Sequence, residues 1–251
     1  MNWPEGGGKV MRVEHIGNAT LILADCMDIM RDMPDKLFNL AIVDPPYGLG
    51  VNGDNIIPNK SGDLNHKYDS SKMWDTDRPP PEYFDELRRV SVNQIIWGGN
   101  YYFDILGLGG GIVIWDKLNG ESLYADGELA WVSRGLQKRL RIFRHQWCGA
   151  FKASERGEDK IHPTQKPVAL YKWLLKNYAK PGNKILDTHG GSGSSVIACL
   201  DMGYEIMWIE KDVNYFEAAL KRIKDFAAQP KLPMDDTPEP VEQWLGFEEE
   251  L

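Results

Sequence analysis

The chain is poor in cysteine and has no long apolar run. Among its 251 residues are three scattered cysteines, Cys26, Cys148 and Cys199, and five histidines without the spacing of metal ligands. The odd cysteine count argues against a disulfide scaffold, and we predict no metal site. No apolar run approaches the roughly 18 residues that span a membrane, and no secretory signal is evident. These absences favour a reducing cytoplasm and exclude a membrane protein.

Basic residues are outnumbered by acidic ones, 29 to 37, but one region is rich in them. The net charge is −8, of which residues 229–251 contribute −6 through seven acids and one base. We predict that this acidic, Pro-rich tail is disordered. Residues 134–152 hold six bases and no acid, interleaved with Phe143, His145 and Trp147. Such a cluster predicts contact with nucleic-acid phosphates and stacking on a displaced strand, although a solvated element with inward-facing rings remains the alternative.

A short acidic and aromatic motif follows the first strongly apolar segment. Residues 40–43, Leu-Ala-Ile-Val, predict a buried strand, and Asp44-Pro45-Pro46-Tyr47 comes directly after it. The prolines fix the backbone, so the carboxylate, the carbonyls and the ring are held in one arrangement. This arrangement suits a flat heterocycle whose amino group donates to the oxygens while its ring stacks on Tyr47. A rigid turn after a core strand is the alternative.

A second motif predicts half of a nucleotide-binding unit. Residues 184–195 read as strand, glycine loop and the start of a helix, which is predicted over 194–202 and ends before Gly203. The next predicted strand, 205–209, ends at Glu210. Glu210 stands where an acid that binds ribose hydroxyls is expected. Asp187 would repel a pyrophosphate and attract an ammonium group, and Val196 replaces a glycine of the dehydrogenase fingerprint. The motif therefore favours S-adenosylmethionine over a dinucleotide, with a generic glycine-rich turn as the alternative.

Together the two motifs resemble the DNA amino-methyltransferases, which methylate adenine N6 or cytosine N4. The tetrapeptide precedes the cofactor loop, as in the circularly permuted β-class of that family. Three segments add to the resemblance, which covers roughly residues 12–225: an opening strand at 17–26, the hexapeptide His-Pro-Thr-Gln-Lys-Pro at 162–167, and a strand and turn at 95–103 similar to adenine-modifying and phage-type members. The chain departs from many members at Thr188-His189, where they have Pro-Phe, and at Ser194-Ser195, where they have two threonines.

The resemblance implies an α/β, Rossmann-like methyltransferase fold with S-adenosylmethionine as cofactor. We expect a mixed, mostly parallel seven-stranded sheet with helices on both faces, circularly permuted, within a domain of residues 12–228. Residues 48–78 are predicted to form a mobile lid over the target base. Residues 133–160 are predicted to form the basic, DNA-contacting insert that recognises the target sequence.

Specific residues follow from these motifs. Catalysis is predicted for Asp44, Pro45, Pro46 and Tyr47. Cofactor binding is predicted for Asp25, Cys26, Thr164, Lys166, Asp187, His189, Gly191, Ser192, Gly193, Ser194 and Glu210, with the His189 ring in the place of the usual Phe. Phosphate contacts are predicted for Lys138, Arg139, Arg141, Arg144 and Lys152.

The predicted activity is methylation of adenine N6 in double-stranded DNA, on a base flipped out of the helix. Asp at the head of the tetrapeptide and the resemblance of 95–103 favour adenine. A cytosine-N4 enzyme, an RNA or protein-amide methyltransferase and a non-catalytic DNA-binding protein remain alternatives. The resemblance also suggests a restriction-modification or phage context in a bacterial cell. Two partner hypotheses stay open: a homodimer, and a sliding clamp bound through Val241–Phe247 of the tail.

Overall fold

The computed structural model describes residues 11–49, 75, 77–120, 125–136, 138–148, 151–155 and 160–230. Most of the predicted lid, namely residues 50–74 and 76, lies outside the described residues. So does the predicted tail beyond residue 230, together with the segment proposed to bind a clamp. These predictions therefore remain predictions.

Nine strands form one mixed sheet in the described part of the chain. They are β1 Arg12–Ile16, β2 Ala19–Leu23, β3 Phe38–Val43, β4 Ser91–Trp97, β5 Gly111–Asp116, β6 Gly127–Val132, β7 Leu140–Arg144, β10 Lys184–Asp187 and β11 Glu205–Glu210. Their order in the sheet is β1-β2-β11-β10-β3-β4-β6-β5-β7. A separate small ribbon pairs β8 Trp147–Cys148 with β9 Phe151–Lys152.

The expected count of seven strands was too low, because both edges of the sheet are extended. At one edge β1 forms an antiparallel hairpin with β2, so the predicted opening strand has a partner that the sequence motif did not include. At the other edge β7 pairs in parallel with β5. Five residues of the predicted basic insert, Leu140–Arg144, therefore form an integral strand of the sheet.

Among the described residues, six helices cover the two faces of the sheet, as expected. They are α1 Cys26–Arg31, α2 Pro81–Val90, α3 Phe103–Leu106, α4 Val168–Tyr178, α5 Ser194–Met202 and α6 Val213–Ala227. The first three pack into the core cluster on one face and the last three into the cluster on the other. None of the described helices is long and apolar enough to cross a membrane.

Local sequence explains where several helices begin and end. The Asp25 carboxylate accepts from the Met27 amide at 2.8 Å and caps α1, and Asp212 caps α6 in the same way. Pro81 occupies the first turn of α2, where its missing N–H has no cost. Gly203 ends α5 in the left-handed conformation with φ 77°.

The central five strands β2, β11, β10, β3 and β4 are all parallel. Their carboxyl ends therefore meet at one edge of the sheet, the edge at which open α/β sheets bind ligands. β3 and β10 are neighbours, and from them the chain proceeds in opposite directions, through α2 to β4 and through α5 to β11. The ends of β3 and β10 therefore flank the crevice expected at such a reversal.

We expect the packing of α4 on the sheet to be essential for stability. Leu174 is fully buried within the core, so Leu174→Ala should lower the free energy of unfolding by about 2–5 kcal/mol, through lost apolar contact and a residual cavity. Leu108→Ala is the matched control, because Leu108 is 85% exposed and its truncation should change stability by no more than about 0.5 kcal/mol. Urea denaturation followed by circular dichroism would measure both; equal losses would contradict the described core.

Candidate active site

A cavity of about 360 Å³ opens where β3 and β10 end. Residues from four parts of the chain line it: Asp44, Pro45, Pro46, Tyr47, His162, Thr164, Gln165, Lys166, Tyr171, His189, Gly190, Gly191, Ser192, Glu210, Lys211, Asp212 and Tyr215. This cavity is therefore lined jointly by the tetrapeptide, the hexapeptide, the glycine loop and the end of β11. The cavity volume lies within the range of small-molecule sites.

Asp44 is the first residue after β3, and each oxygen of its carboxylate accepts one hydrogen bond. Oδ1 accepts from the Tyr47 hydroxyl at 2.7 Å, and Oδ2 accepts from Lys166 Nζ at 2.5 Å. Burial raises the pKa of Asp44 above its ordinary value, and the Lys166 ammonium opposes that rise. Each carboxylate oxygen keeps a second lone pair, so both can still accept a hydrogen bond from a ligand.

Tyrosines hold the rest of the tetrapeptide in place. The Tyr102 hydroxyl shares its one proton between the Pro45 carbonyl at 2.9 Å and the Pro46 carbonyl at 2.5 Å. The Tyr47 ring stacks on Tyr101 with the ring centres 5.0 Å apart and the planes 22° apart. The Pro45 carbonyl, a predicted acceptor for the target amino group, thus already carries one hydrogen bond and has one lone pair left.

Two backbone features fix the Tyr47 position further. Three consecutive amides, those of Tyr47, Gly48 and Leu49, donate to the buried Asp75 carboxylate at 2.5, 2.9 and 3.2 Å. Gly98, just after β4, has φ 68°, and a Cβ there would lie 2.2 Å from Tyr47 Cε1. The glycine that the 95–103 segment supplies is therefore needed for the Tyr47 ring to fit.

The glycine loop packs tightly over the end of β10. Asp187 accepts from Ser195 Oγ at 2.6 Å and from the His189 amide at 3.2 Å. Burial raises the pKa of Asp187 to about 7, although these two hydrogen bonds oppose the rise. A Cβ on Gly190 would come within 1.9 Å of Trp208 Cε2, so only glycine lets the loop lie against that ring.

Glu210 joins the glycine loop to the start of α6. Its carboxylate accepts from the Gly191 amide at 2.9 Å and from the Asp212 amide at 2.8 Å. Burial raises the pKa of Glu210, while the hydrogen bonds from the amides oppose this rise. Glu210 lines the cavity with a free lone pair on each oxygen, so its predicted contact with ribose hydroxyls is sterically open.

The hexapeptide contributes neutral polar groups as well as Lys166. Burial lowers the pKa of His162 to about 4, so its ring is neutral and stands edge-on to Tyr215. Gln165 is 4% exposed and lines the cavity; its Oε1 accepts from the Ile161 amide at 3.0 Å, while Nε2 has no partner in the described structure. A buried amide donor at the cavity wall suits an acceptor on a ligand.

Not every predicted cofactor residue lines this cavity. The predicted residues that line it are Thr164, Lys166, His189, Gly191, Ser192 and Glu210. Those that lie elsewhere are Asp25, Cys26, Asp187, Gly193 and Ser194. Asp187 lies beneath the loop, and Gly193 and Ser194 begin α5, where Ser194 Oγ accepts from Arg222 at 3.0 Å. Asp25 follows β2, which pairs with β11 such that Leu23 faces Glu210 across the ladder. A role for Asp25 at the rim remains a prediction.

Sequence reasoning passed over several residues at the site. His162 and Gln165 belong to the quoted hexapeptide, and Lys211 and Asp212 directly follow Glu210, so their motifs could have indicated them. Tyr171 and Tyr215 lie on helices with no motif, and no sequence signal could have separated them from core residues. Around Asp44 the reasoning also missed Tyr102, Asp75 and Glu128, which come from distant segments. Lys166 lines the cavity and its ammonium contacts Asp44; its predicted contact with the cofactor remains a prediction.

The basic residues of the insert divide between solvent and aromatic rings. Lys138, Arg139 and Arg144 are exposed on or beside β7, and Arg144 lies 3.4 Å from Asp116. Arg141 lies over the Trp173 ring at 5.3 Å and Lys152 over the Trp147 ring at 5.1 Å.

Two aromatic residues of the insert, Phe143 and Trp147, face inward. Trp147 is 3% exposed and donates from Nε1 to the Gln165 carbonyl, while Phe143 packs against the core. The prediction that the Trp147 ring stacks on a displaced strand was therefore wrong, because the ring is needed to cover the core beneath the hexapeptide. The predicted phosphate contacts of the exposed basic residues are unaffected.

Together the parallel sheet and the shared cavity define a Rossmann-like methyltransferase fold. A family described as DNA methylase, with members that modify N6 or N4, matches residues 116–221. The chain is 22% identical over 251 residues to the type II methyltransferase M2.LlaDCHI of Lactococcus lactis subsp. cremoris, covering 82% of this chain and 89% of that protein. It is 23% identical over 254 residues to the type II methyltransferase M.HinfI of Haemophilus influenzae, covering 84% and 70%.

Two solved structures share the fold. The complex of M1.HpyAVI with S-adenosylmethionine superposes with a TM-score of 0.52 at 22% identity, covering 81% of this chain and 99% of that one. The PvuII DNA methyltransferase, which is specific for cytosine N4, gives a TM-score of 0.52 at 12% identity, covering 84% and 91%. The comparisons therefore support a DNA methyltransferase of the N6/N4 class and do not distinguish the two target bases.

We expect Gly98→Ala to impair methyl transfer, and its control to leave transfer unchanged. The control is Gly203→Ala, because Gly203 has nearly the same backbone angles, φ 77° and ψ 21°, but open space around a new Cβ. Left-handed strain should cost each variant about 1–2 kcal/mol of stability, and Gly98→Ala should lose more because its Cβ would clash with Tyr47. Only Gly98→Ala should also displace Tyr47 and slow transfer to DNA, by about tenfold or more. Equal rates for the two variants would show that the Tyr47 position does not matter.

Proposed function

We propose that this protein transfers a methyl group from S-adenosylmethionine to N6 of an adenine flipped out of double-stranded DNA. One observation carries the proposal: the Asp44 carboxylate and the glycine loop line the same cavity, although they are far apart in the chain. Methyl transfer needs such a site, where an acceptor for an amino group meets a pocket for a methyl donor. The order of the two motifs along the chain supports the β-class arrangement.

The residues present fit S-adenosylmethionine. The unpartnered Gln165 Nε2 suits the carboxylate of its methionine part, and the glycine loop gives close backbone approach. Glu210, which lines the cavity, suits its ribose hydroxyls, and Asp187 beneath the glycine loop suits its cationic amino group through charge. Both acids would repel a pyrophosphate. When bound, this cofactor supplies a methyl group on a positively charged sulfur.

The tetrapeptide would activate the amino group of the target base. The lone pair of that nitrogen is delocalised into the ring, which makes it a poor nucleophile. Asp44 and the Pro45 carbonyl, each with a free lone pair, would accept from its two hydrogens and favour a pyramidal nitrogen. The carboxylate would also stabilise the positive charge that develops as the N–C bond forms and the C–S electrons return to sulfur. The nitrogen then loses one proton to water, so Asp44 need not be a strong base.

Tyr47 and the basic residues would hold the DNA. One face of the Tyr47 ring is covered by Tyr101, so the face toward the cavity remains for the flipped base. The exposed Lys138, Arg139 and Arg144 would contact phosphates, which supplies affinity without sequence information. Arg141 and Lys152 would contribute less, because their side chains rest on tryptophan rings.

Cytosine N4 is the second candidate for the target. The fold shared with the cytosine-N4-specific PvuII enzyme favours it, and a carboxylate can grip either exocyclic amino group. Asp at position 44 and the 95–103 segment favour adenine. The RNA and protein-amide alternatives would have to use the same grip on a planar amine or amide.

The first test identifies the methylated product. Purified protein is incubated with S-adenosylmethionine and unmethylated DNA, and the digested nucleosides are analysed by mass spectrometry. We expect N6-methyladenine from the wild-type protein, and a yield at least about a hundredfold lower from Asp44→Ala and Asp44→Asn, because the charge that stabilises the transition state is gone. Both variants should still bind the cofactor in calorimetry.

Other products would redirect the assignment. N4-methylcytosine would keep the mechanism and change the base. An active Asp44→Ala protein would remove the proposed catalytic role. Cofactor binding without any methylated deoxynucleoside would point to RNA or protein substrates, and absence of cofactor binding would favour a DNA-binding protein on this scaffold.

Cofactor affinity should depend on pH through Asp187. Its pKa is about 7 in the free protein because of burial, so below that pH the carboxyl group is mostly protonated. A cation bound above the loop favours the ionised form and lowers this pKa. Binding then releases a proton, and the dissociation constant should fall as pH rises from about 5 to 7, by at most about tenfold per unit, and level off above.

Calorimetry in two buffers of different ionisation enthalpy would measure the proton release directly. Asp187→Asn is the matched control, since it keeps the shape and cannot titrate; its affinity should not vary over this pH range. A wild-type affinity that is independent of pH would show that Asp187 does not sense the cofactor.

A further inference from the structure

Four charged side chains of alternating sign form a continuous chain behind the cavity. Lys166 Nζ lies 2.5 Å from Asp44 Oδ2 and 2.9 Å from Glu128 Oε2, and Glu128 Oε1 lies 2.6 Å from Lys117 Nζ. The Lys166 side chain is 1% exposed, and those of Asp44, Lys117 and Glu128 are 14%, 17% and 22% exposed. Charges this close in a poorly solvated place interact strongly.

The fold brings these four residues together from four segments. Asp44 follows β3, Lys117 follows β5 and Lys166 precedes α4. Glu128 is the second residue of β6, which runs antiparallel to β4 and therefore begins at the edge where the parallel strands end. Neither Glu128 nor Lys117 lines the cavity, so neither can act by touching a ligand there.

Aromatic rings keep the two lysines in their places. Lys166 Nζ lies 5.4 Å above the Trp97 ring and Lys117 Nζ lies 5.0 Å above the Trp115 ring. Such contacts add a cation–π attraction to each ion pair. The Lys166–Glu128 contact is close enough for an ion pair but is not aligned as a hydrogen bond, so Glu128 Oε2 acts on Lys166 chiefly through its charge.

The charges of the chain have opposite effects on Asp44. Lys166 favours the ionised carboxylate, and Glu128 raises the pKa of Asp44 in addition to the rise that burial causes. Burial alone would lower the pKa of Lys166, but Asp44 and Glu128 raise it. Burial alone would raise the pKa of Glu128, but Lys166 and Lys117 lower it to about 2. Lys166 and Glu128 are therefore both charged at neutral pH.

We propose that Glu128 is a positioning residue for Asp44: it holds Lys166 against the carboxylate and compensates the positive charge that Lys166 brings. Lys166 alone would keep Asp44 ionised but would cancel its negative potential. With Glu128 present, Asp44, Lys166 and Glu128 together carry one negative charge; Lys117, which does not line the cavity, balances it from the other side of Glu128. Lys117 anchors Glu128 from behind.

This inference rests on the proposed function, because a negative potential matters there for a definite reason. The methyl donor is a sulfonium cation, and the amino nitrogen becomes positive as it is alkylated. A neutral Asp44–Lys166 pair would stabilise the nitrogen that Asp44 accepts from less well than a carboxylate whose counter-charge is itself compensated. Glu128 therefore serves the transition state without touching it.

Other titratable groups surround Asp44 and set the background for any pH measurement. From the elements packed against it these are Tyr47, Tyr102, Tyr171 and Asp187. Burial raises the pKa of all three tyrosines, so they stay neutral below pH 9. Asp187 titrates near pH 7, and the Asp187→Asn variant identifies its contribution to the pH profile.

The first variant is Glu128→Gln, which keeps the size of the side chain and removes one charge. We expect kcat for methyl transfer to fall by about tenfold, and the acidic limb of the kcat–pH profile to move to lower pH, because Asp44 loses a neighbouring negative charge. The dissociation constant for S-adenosylmethionine should change little. Glu205→Gln is the control, since Glu205 is half-exposed at the opposite edge of the sheet and pairs only with Lys184 among the described ion pairs.

The decisive comparison repeats the change in a Lys166→Met background. Without Lys166 two carboxylates share one buried site, so Asp44 takes up a proton and the acidic limb of the profile moves to higher pH. In that background Glu128→Gln should raise kcat at pH 7 by about tenfold, the reverse of its effect in the wild-type protein. A residue with a merely structural role would lower activity in both backgrounds, and that outcome would overturn the proposal. If Lys166→Met does not fold, Lys117→Met takes its place, because it leaves Asp44 and Lys166 intact. It should also move the acidic limb of the kcat–pH profile to higher pH, by a smaller amount.

A readout besides activity separates this inference from the proposed function. The Asp44 carboxyl carbon can be followed by ¹³C NMR in protein with labelled aspartate, assigned with Asp44→Asn. Its titration should move to lower pH in Glu128→Gln and to higher pH in Lys166→Met or Lys117→Met, even in a protein that methylates no DNA. An Asp44 titration that is the same in all variants would overturn the proposal, whether or not the enzyme is active.

Discussion

The pairing of β3 with β10 is the constraint on which the rest of the site depends. Ile185 and Leu186 pair in parallel with Leu40 and Ala41, so the two strands end side by side. One strand delivers Asp44 and the other delivers the glycine loop, although about 140 residues separate them in sequence. If this register moved by one residue, one of the two strands would turn its core side chains to the opposite face, and both core clusters would be lost. Catalytic geometry and stability are therefore secured by the same hydrogen bonds.

The site reconciles two electrostatic demands that oppose each other. A cationic cofactor and a nitrogen that becomes positive both favour negative charge, yet buried carboxylates are costly without partners. At Asp187 the cost is met by hydrogen bonds from Ser195 and the His189 amide, and the carboxyl group still titrates near neutrality. At Asp44 it is met by Lys166, which introduces a positive charge that Glu128 in turn balances. Oxygen acceptors thus remain available in the cavity while the surrounding charge stays close to neutral.

Local signals predicted most elements well, and the errors have identifiable causes. The helix from Ser194 to Met202 has the predicted bounds, because its apolar residues and the terminal glycine act within a few residues of each other. The basic stretch was harder, since β7 alternates Arg141 and Phe143 on the covered face with Leu140, Ile142 and Arg144 on the exposed one. A count of charges predicts affinity for phosphate but not which face a strand covers. The Trp147 ring was accordingly assigned to DNA when it belongs to the core.

The sequence by itself determined the fold class, the tetrapeptide, the glycine loop and the acids that follow their strands. These are local patterns, in which strand, turn and helix signals fall within about ten residues, and they need no knowledge of what lies across the sheet. Only the tertiary structure decided which charges meet. Lys166 contacts Asp44, and Glu128 contacts Lys166 because β6 is antiparallel and begins where the parallel strands end. The direction of a distant strand is set by the packing of the whole sheet, and no short stretch of sequence contains it.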